Sequence, residues 1–368
     1  GVGASLAGLR AVETLRQEGF DGAITVIGDE PRAPYDRPPL SKKVLAGEWD
    51  PERIQLRSPE VFAEIRADWR LGVTATGLDL GARTVALADG SSVAFDGLVI
   101  ATGTRCRRLA DQPDGVHELR TVDDSLALRD AVAGGGRKVV VIGAGFIGLE
   151  VAATANGLGN EVTVLDGAEA PLIRGLGPAM GRIVGELHEF DGITIRCGVT
   201  VDSLTADVVT LRGGEEIAAD VVVVGIGVTP NTDWLDGSGL SLDDGVRCDP
   251  SLRALDTEVN VFAAGDVARW AHRLFDEEIR IEHWTNAAEQ GATAAANLLA
   301  VAAGEEPSPY DAVPFVWSDQ ASHRIQFVGR SDADDDVALV GGSVEERTML
   351  ALYGRDGVLR GALGISAP

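Results

Sequence analysis

Apolar residues in this chain come in short runs, and most of the runs stop at a glycine. Leu98 to Ala101, Lys138 to Ile142, Val221 to Val224 and Val259 to Ala264 are of this kind. Short apolar runs bounded by turn residues predict strands buried on both faces, as in parallel sheets. After the second of them, Gly143-Ala144-Gly145-Phe146-Ile147-Gly148 turns the chain into a helix predicted from about Gly148 to Gly157. Glu161 to Leu165 then predicts a strand that ends at Asp166. An earlier stretch repeats the design. Gly3-Ala4-Ser5-Leu6-Ala7-Gly8 opens a helix to about Glu18, Gly19 ends it, and a strand from Ala23 to Ile27 closes on Gly28, Asp29 and Glu30. Each stretch reads as the opening of a dinucleotide-binding half-domain. Only Gly1 and Val2 precede Gly3 and there is no initiating Met, so further residues are expected upstream.

Weaker signals fill the remainder. Thr84 to Leu87 and Ser92 to Phe95, around Asp89-Gly90, predict a hairpin. Glu282 to Leu299 predicts a long Ala-rich helix, and Asp334, Asp335 and Asp336 an acidic loop. Pro307 and Pro309 mark a linker to a β-patterned tail, whose last strand, Leu359 to Ile365, stops abruptly enough to suggest truncation.

Composition narrows the class. The 368 residues are 45% hydrophobic and 24% charged, which is ordinary for a globular protein. A formal net charge of −25 disfavours nucleic acid and anionic membranes as partners. Cys106, Cys197 and Cys248 lie far apart with no CxxC, which disfavours zinc, a redox dithiol and a disulfide framework. A reducing cytoplasm is the expected location.

The glycine turns carry the chemistry. Such a turn lets the backbone approach a pyrophosphate and aims helix N–H groups at it. Gly143, Gly145 and Gly148 fit that role with strand, helix and acidic residue all in place, whereas Gly3, Ser5 and Gly8 lack the middle glycine. Asp166, 23 residues after Gly143, is placed to accept from a ribose 2′-hydroxyl, so NADH is favoured over NADPH. Asp29 or Glu30 plays the corresponding part in the first unit, with Asp29 better aligned to the strand end. Asp266 follows a buried strand and a glycine, where a turn or helix cap is the ordinary role. Beside two dinucleotide turns, a flavin contact is the better reading.

Taken in order along the chain, several strings resemble the FAD-dependent NADH:ferredoxin reductases of bacterial oxygenase systems. They are Pro34 to Lys42 (PYDRPPLSK), Gly143 to Glu150, Gly225 to Asn231 (GIGVTPN), Ala264-Gly265-Asp266, Glu282 to Asn286 (EHWTN) and Trp317-Ser318-Asp319-Gln320. The resemblance implies an α/β chain with two Rossmann-like domains, for FAD and NAD, and a small C-terminal α+β domain. It places an FAD domain at 1–108 and 233–308, an NAD domain at 109–232, and a truncated interface-like domain at 309–368. Ser5 in place of a glycine, and Ala321 where the family often has an aromatic residue, are departures.

The resemblance implies FAD contacts at Gly3, Ala7, Gly8, Asp29, Arg37, Lys42, Ala75, Arg120, Asp266 and Trp284. It implies NAD contacts at Gly145, Phe146, Ile147, Glu150, Asp166, Arg174 and Gly227. Lys42, paired with Glu150, is implied to lie near the flavin's reactive nitrogen, and Trp284 and Trp317 near its ring system. No metal is expected, and His283 and His323 are read as structural. With no redox pair of cysteines, electrons must leave to an external acceptor, and a small acidic iron–sulfur ferredoxin is the expected partner. A rubredoxin, an ascorbate radical, or an NADH-sensing role like that of apoptosis-inducing factor are the alternatives. Docking cations are sought among Arg105, Arg107, Arg108, Arg324 and Arg330, and the expected state is a monomer or weak homodimer.

Overall fold

Val2 forms parallel bridges to Ile27 on one side and Ile100 on the other. It thereby joins two strand pairs into one parallel sheet. Thr25–Gly28 pairs with Asp68–Leu71, and Leu98–Ile100 pairs with Val261–Ala263. The computed structural model describes residues 1–367, and this sheet belongs to a compact unit made of residues 1–36, 55–105 and 229–314. The helix Leu6–Gln17 buries Leu9, Val12 and Leu15, spaced three apart on one face. It packs against the helix Trp284–Ala302. Their backbones meet at Gly291, where a Cβ would lie 2.3 Å from the Ala7 carbonyl oxygen, so only glycine fits. The expected hairpin is present as Thr84–Leu87 and Ser92–Ala94, within a three-stranded antiparallel sheet.

The second unit comprises residues 37–54, 106–228 and 315–367. Its centre is a four-stranded parallel sheet in the order Thr194–Arg196, Glu161–Leu165, Lys138–Ile142, Val221–Val224. Val222 pairs with Val140, and Val140 with Thr163. The helix Phe146–Gly157 follows the glycine turn, starting two residues before the predicted position. The tail forms a five-stranded antiparallel sheet, ordered Phe315–Gln320, His323–Gly329, Val358–Ile365, Thr348–Arg355, Asp336–Ser343.

Three features depart from the sequence reading. Residues 37–54 lie in the second unit, although the expected FAD segment 1–108 included them. The reason is local bonding: Leu45 is buried in the core with Leu128 and Leu149, and the Ser125 hydroxyl donates to the Leu40 carbonyl at 2.6 Å. The tail likewise packs with residues 106–228, because Ile325, Phe327 and Tyr353 share that core. The acidic loop is also more than a solvated turn. The Asp335 side chain is fully buried, accepts from Arg355 Nε at 2.9 Å, and has Arg360 Nε at 3.5 Å, while Asp336 opens a strand. A buried carboxylate needs such partners to offset its lost hydration.

Candidate active site

The two glycine turns obey one steric rule. Gly3 and Gly143 have φ of +115° and +111°, a region that L side chains avoid. A Cβ on the last glycine of either turn would collide with the carbonyl oxygen of the first, at 1.9 Å for Gly8 and 2.0 Å for Gly148. Each helix therefore begins pressed onto its own turn. Ser5 and Gly145 occupy the N-cap positions, and neither supplies a side-chain cap. The first-turn N–H groups are thus left for an anion. A Cβ at Gly145 would meet nothing within 4 Å, so that turn opens onto space.

Acidic residues stand at both strand ends. Asp29 is exposed after Thr25–Gly28, whereas Glu30 accepts from the Tyr35 hydroxyl. This division favours Asp29 over Glu30 for a ribose. Asp166 has work that sequence reading missed. One carboxylate oxygen accepts the Ala144 N–H at 2.6 Å, and the other the Ala168 N–H at 2.7 Å. It fixes the glycine turn and keeps further lone pairs for hydroxyls.

In the first unit, the 3₁₀ turn Gly265–Val267 sets Asp266 beside the first helix. A Cβ at Gly265 would lie 3.2 Å from Ala7 Cβ, and the Thr104 hydroxyl donates to Asp266 at 3.2 Å. Trp284 Nε1 donates to Asp36 Oδ1 at 2.7 Å and leaves its ring partly exposed at the start of its helix. Ala75 is buried at the head of Ala75–Asp79. The structure therefore gathers Gly3, Ala7, Gly8, Asp29, Ala75, Asp266 and Trp284 in this unit.

Arg37, Lys42 and Arg120, the other residues expected at FAD, belong to the second unit. Arg37 donates to the Arg120 carbonyl at 2.5 Å. Lys42 follows the 3₁₀ turn Pro38–Ser41, and its Nζ lies 2.7 Å from Glu150 Oε2 and 3.0 Å from the Pro38 carbonyl. Glu150 is buried on the helix Phe146–Gly157 and also accepts from Ser41 and Ser318. The expected pair is thus a formed, mostly buried ion pair. Arg174 stands near Gly227, its guanidinium 3.8 Å from where a Cβ there would be. Phe146 lies against Gly175, while Ile147 is exposed on the first turn of its helix. Trp317 stacks on Phe315 with ring centroids 6.0 Å apart.

The thiols are unsuited to redox work. All three cysteines are free. Burial pushes each thiol up, Cys197 to about 11 with help from Asp166 and Glu189. Burial also pushes His283 down to about 4, against the pull of Asp266, so its ring is neutral at pH 7. Among the described residues no cluster of His, Cys, Asp and Glu could hold a metal, and no helix is long and apolar enough to cross a membrane.

Comparison with known proteins agrees with this geometry. The family model "Pyridine nucleotide-disulphide oxidoreductase" matches residues 2–291, and "Reductase C-terminal" matches 315–368. The chain belongs to the pyridine nucleotide-disulphide oxidoreductase family, in its FAD-dependent ferredoxin reductase branch. The reductase is 37% identical over 353 residues to rhodocoxin reductase of Rhodococcus erythropolis, covering 94% of this chain and 80% of that one. It is 39% identical over 337 residues to the ferredoxin–NAD(+) reductase component of the anthranilate 1,2-dioxygenase system of Burkholderia cepacia, covering 89% and 80%. The solved covalent putidaredoxin reductase–putidaredoxin complex matches at TM-score 0.92 and 32% identity, over 99% of this chain and 88% of that one. FAD and NADH are the cofactors of the reductase. The two uncapped helix starts and the open position at Gly145 fit the pyrophosphates of two such dinucleotides.

Ser41, Ser318, Gln320 and His188 were not singled out from the sequence, although the structure joins them to Glu150. The alternation of Trp317, Ser318, Asp319 and Gln320 along one strand was the available signal, because a period of two buries Ser318 and Gln320 together.

Proposed function

We propose that Lys42 and Glu150 serve the reductive half of an electron transfer from NADH, through FAD, to an iron–sulfur ferredoxin that feeds an oxygenase. The protein is an NADH-dependent FAD oxidoreductase of the ferredoxin reductase class. The observation that carries the reading is the mostly buried Lys42–Glu150 pair in the unit that also holds the Gly143–Gly148 turn. In this reading Gly3, Ala7, Gly8, Asp29, Ala75, Asp266 and Trp284 hold FAD together with Arg37, Lys42 and Arg120. Gly145, Phe146, Ile147, Glu150, Asp166, Arg174 and Gly227 hold NADH. Bound FAD supplies the chemistry that takes two electrons from NADH and passes them on singly. Lys42 contributes a fixed positive charge where negative charge develops on reduction, and Glu150 fixes the direction of that ammonium. Inert thiols leave an external acceptor to take the electrons.

The purified protein is expected to be yellow and to reduce an iron–sulfur ferredoxin with NADH faster than it reduces rubredoxin. Acid precipitation should release the flavin into the supernatant. Flavin retained in the pellet, or a faster rate with rubredoxin, would overturn the corresponding part.

Coenzyme preference gives a second test. A charge-assisted hydrogen bond contributes about 1.5–3 kcal/mol, so kcat/KM should favour NADH over NADPH by about tenfold or more. Asp166→Ala also frees the N–H groups of Ala144 and Ala168, which weakens the turn for both coenzymes. The ratio of the two kcat/KM values isolates the ribose contact and should fall towards unity. An unchanged ratio would refute the contact.

A further inference from the structure

Three polar residues in the second unit are buried where apolar ones would fill the space at less cost. Ser318, Gln320 and His188 are each 1% exposed or less. Burying such groups is unfavourable unless their hydrogen bonds are made. They make most of them with one another, in a row that ends on Glu150, while His188 Nδ1 at the far end is buried without a hydrogen-bond partner among the described residues. His188 Nε2 lies 2.7 Å from Gln320 Oε1, Gln320 Nε2 donates to Ser318 Oγ at 3.0 Å, and Ser318 Oγ donates to Glu150 Oε1 at 2.6 Å.

The row has one direction. An amide oxygen only accepts, so His188 must carry its proton on Nε2. Burial holds that imidazole below its ordinary range and hence neutral, which is consistent with a single-donor tautomer. Gln320 spends an N–H on Ser318, and Ser318 has its hydroxyl hydrogen left for the carboxylate. Bonds aligned head to tail polarise one another towards the acceptor. The other carboxylate oxygen, Oε2, takes Ser41 and Lys42. Glu150 is thus gripped from two sides, and only the Oε2 side includes the ammonium. Without the row, Oε1 would be a buried anionic oxygen with no donor shown to it.

We infer that Ser318, Gln320 and His188 are positioning residues, a one-directional hydrogen-bond row that holds the Glu150 carboxylate in the orientation that aims Lys42. The inference rests on the proposed roles of Lys42 and Glu150. It assigns the row no contact with either cofactor.

The test is anaerobic stopped-flow reduction of the FAD-loaded full chain by NADH. The proteins are wild type, Ser318→Ala, Gln320→Met, Lys42→Met and the double variant Lys42→Met/Ser318→Ala. Ser318→Ala should lower the limiting reduction rate about tenfold, equivalent to about 1.4 kcal/mol, and change the NADH dissociation constant by a smaller factor. Gln320→Met, which fills similar volume, should act in the same direction, and it substitutes for Ser318→Ala should that variant lose FAD. In the Lys42→Met background, Ser318→Ala should add less than about twofold, because residues acting through one group are not additive. The same factor in both backgrounds would mean a packing effect and would overturn the inference. So would a weaker NADH dissociation constant at an unchanged limiting rate, or a wild-type rate in both Ser318→Ala and Gln320→Met. A wild-type rate in Lys42→Met alone would instead refute the roles of Lys42 and Glu150, and the inference with them.

Discussion

Lys42→Met is expected to slow reduction of bound FAD by NADH about a hundredfold while the protein stays yellow. Two effects add. The ammonium is a preorganised charge in a site screened from solvent, and removing one such electrostatic contact typically costs about 2.7–4 kcal/mol at the transition state. The second effect is on Glu150. Its carboxylate is buried, and Lys42 Nζ at 2.7 Å is the cation bonded to it. Breaking a buried pair by deleting one member leaves an uncompensated charge, at about 3–5 kcal/mol. Lys42 is itself 19% exposed, which places the real cost at the lower end. The variant should therefore melt several degrees lower as well as reduce slowly. Flavin should remain, since seven of the ten proposed FAD residues lie in the other unit. Stopped-flow bleaching of the flavin, run beside the released-FAD content, separates the two effects. A wild-type bleaching rate would reduce Lys42 to a structural ion pair.

What the sequence disclosed follows from the range of the forces involved. The glycine turns were legible because their demand is local. A positive φ at Gly143 and the contact of Gly148 with the Gly143 carbonyl are set within six residues of chain, and the strands on either side were read to the residue. The Ser318–Gln320–His188 row was not legible, since burial of a polar side chain is decided by what the sheet is laid against. His188 lies 132 residues from Gln320, and no spacing rule links a helix to a strand over that distance. Asp335 failed for the same reason. Three consecutive aspartates look solvated until Arg355 and Arg360, some twenty residues on, are brought to the middle one. The resemblance implied one continuous segment over 1–108, whereas the burial of Leu45 and the Ser125–Leu40 bond pack residues 37–54 with the second unit. The resemblance supplied the pairing of Lys42 with Glu150, which residue patterns alone left as two ordinary charged positions.

The same steric rule in both turns yields a reciprocal experiment with large effects. A methyl group at Gly148 would sit 2.0 Å from the Gly143 carbonyl oxygen and 3.2 Å from its carbon. Neither atom belongs to a flexible side chain, so the turn must move away from its helix by about 1 Å to restore a normal contact. The turn is held by the Asp166–Ala144 bond and by Gly143 itself, whose own Cβ position is 2.2 Å from the Gly225 carbonyl oxygen. Movement therefore costs stability, on the order of 1–3 kcal/mol for an overpacked site. It also displaces the first-turn N–H groups from the anion they would bind, and a misplacement of about 1 Å can cost about a hundredfold. Gly148→Ala is accordingly expected to raise the NADH dissociation constant by about tenfold to a hundredfold and to leave the protein yellow. Gly8→Ala faces the corresponding clash, 1.9 Å to the Gly3 carbonyl oxygen, and should instead purify largely colourless. NADH titration of the first variant and the flavin content of both decide the matter. A colourless Gly148→Ala beside a yellow Gly8→Ala would exchange the two assignments. Normal flavin content and NADH affinity in both would remove the turns from nucleotide binding altogether.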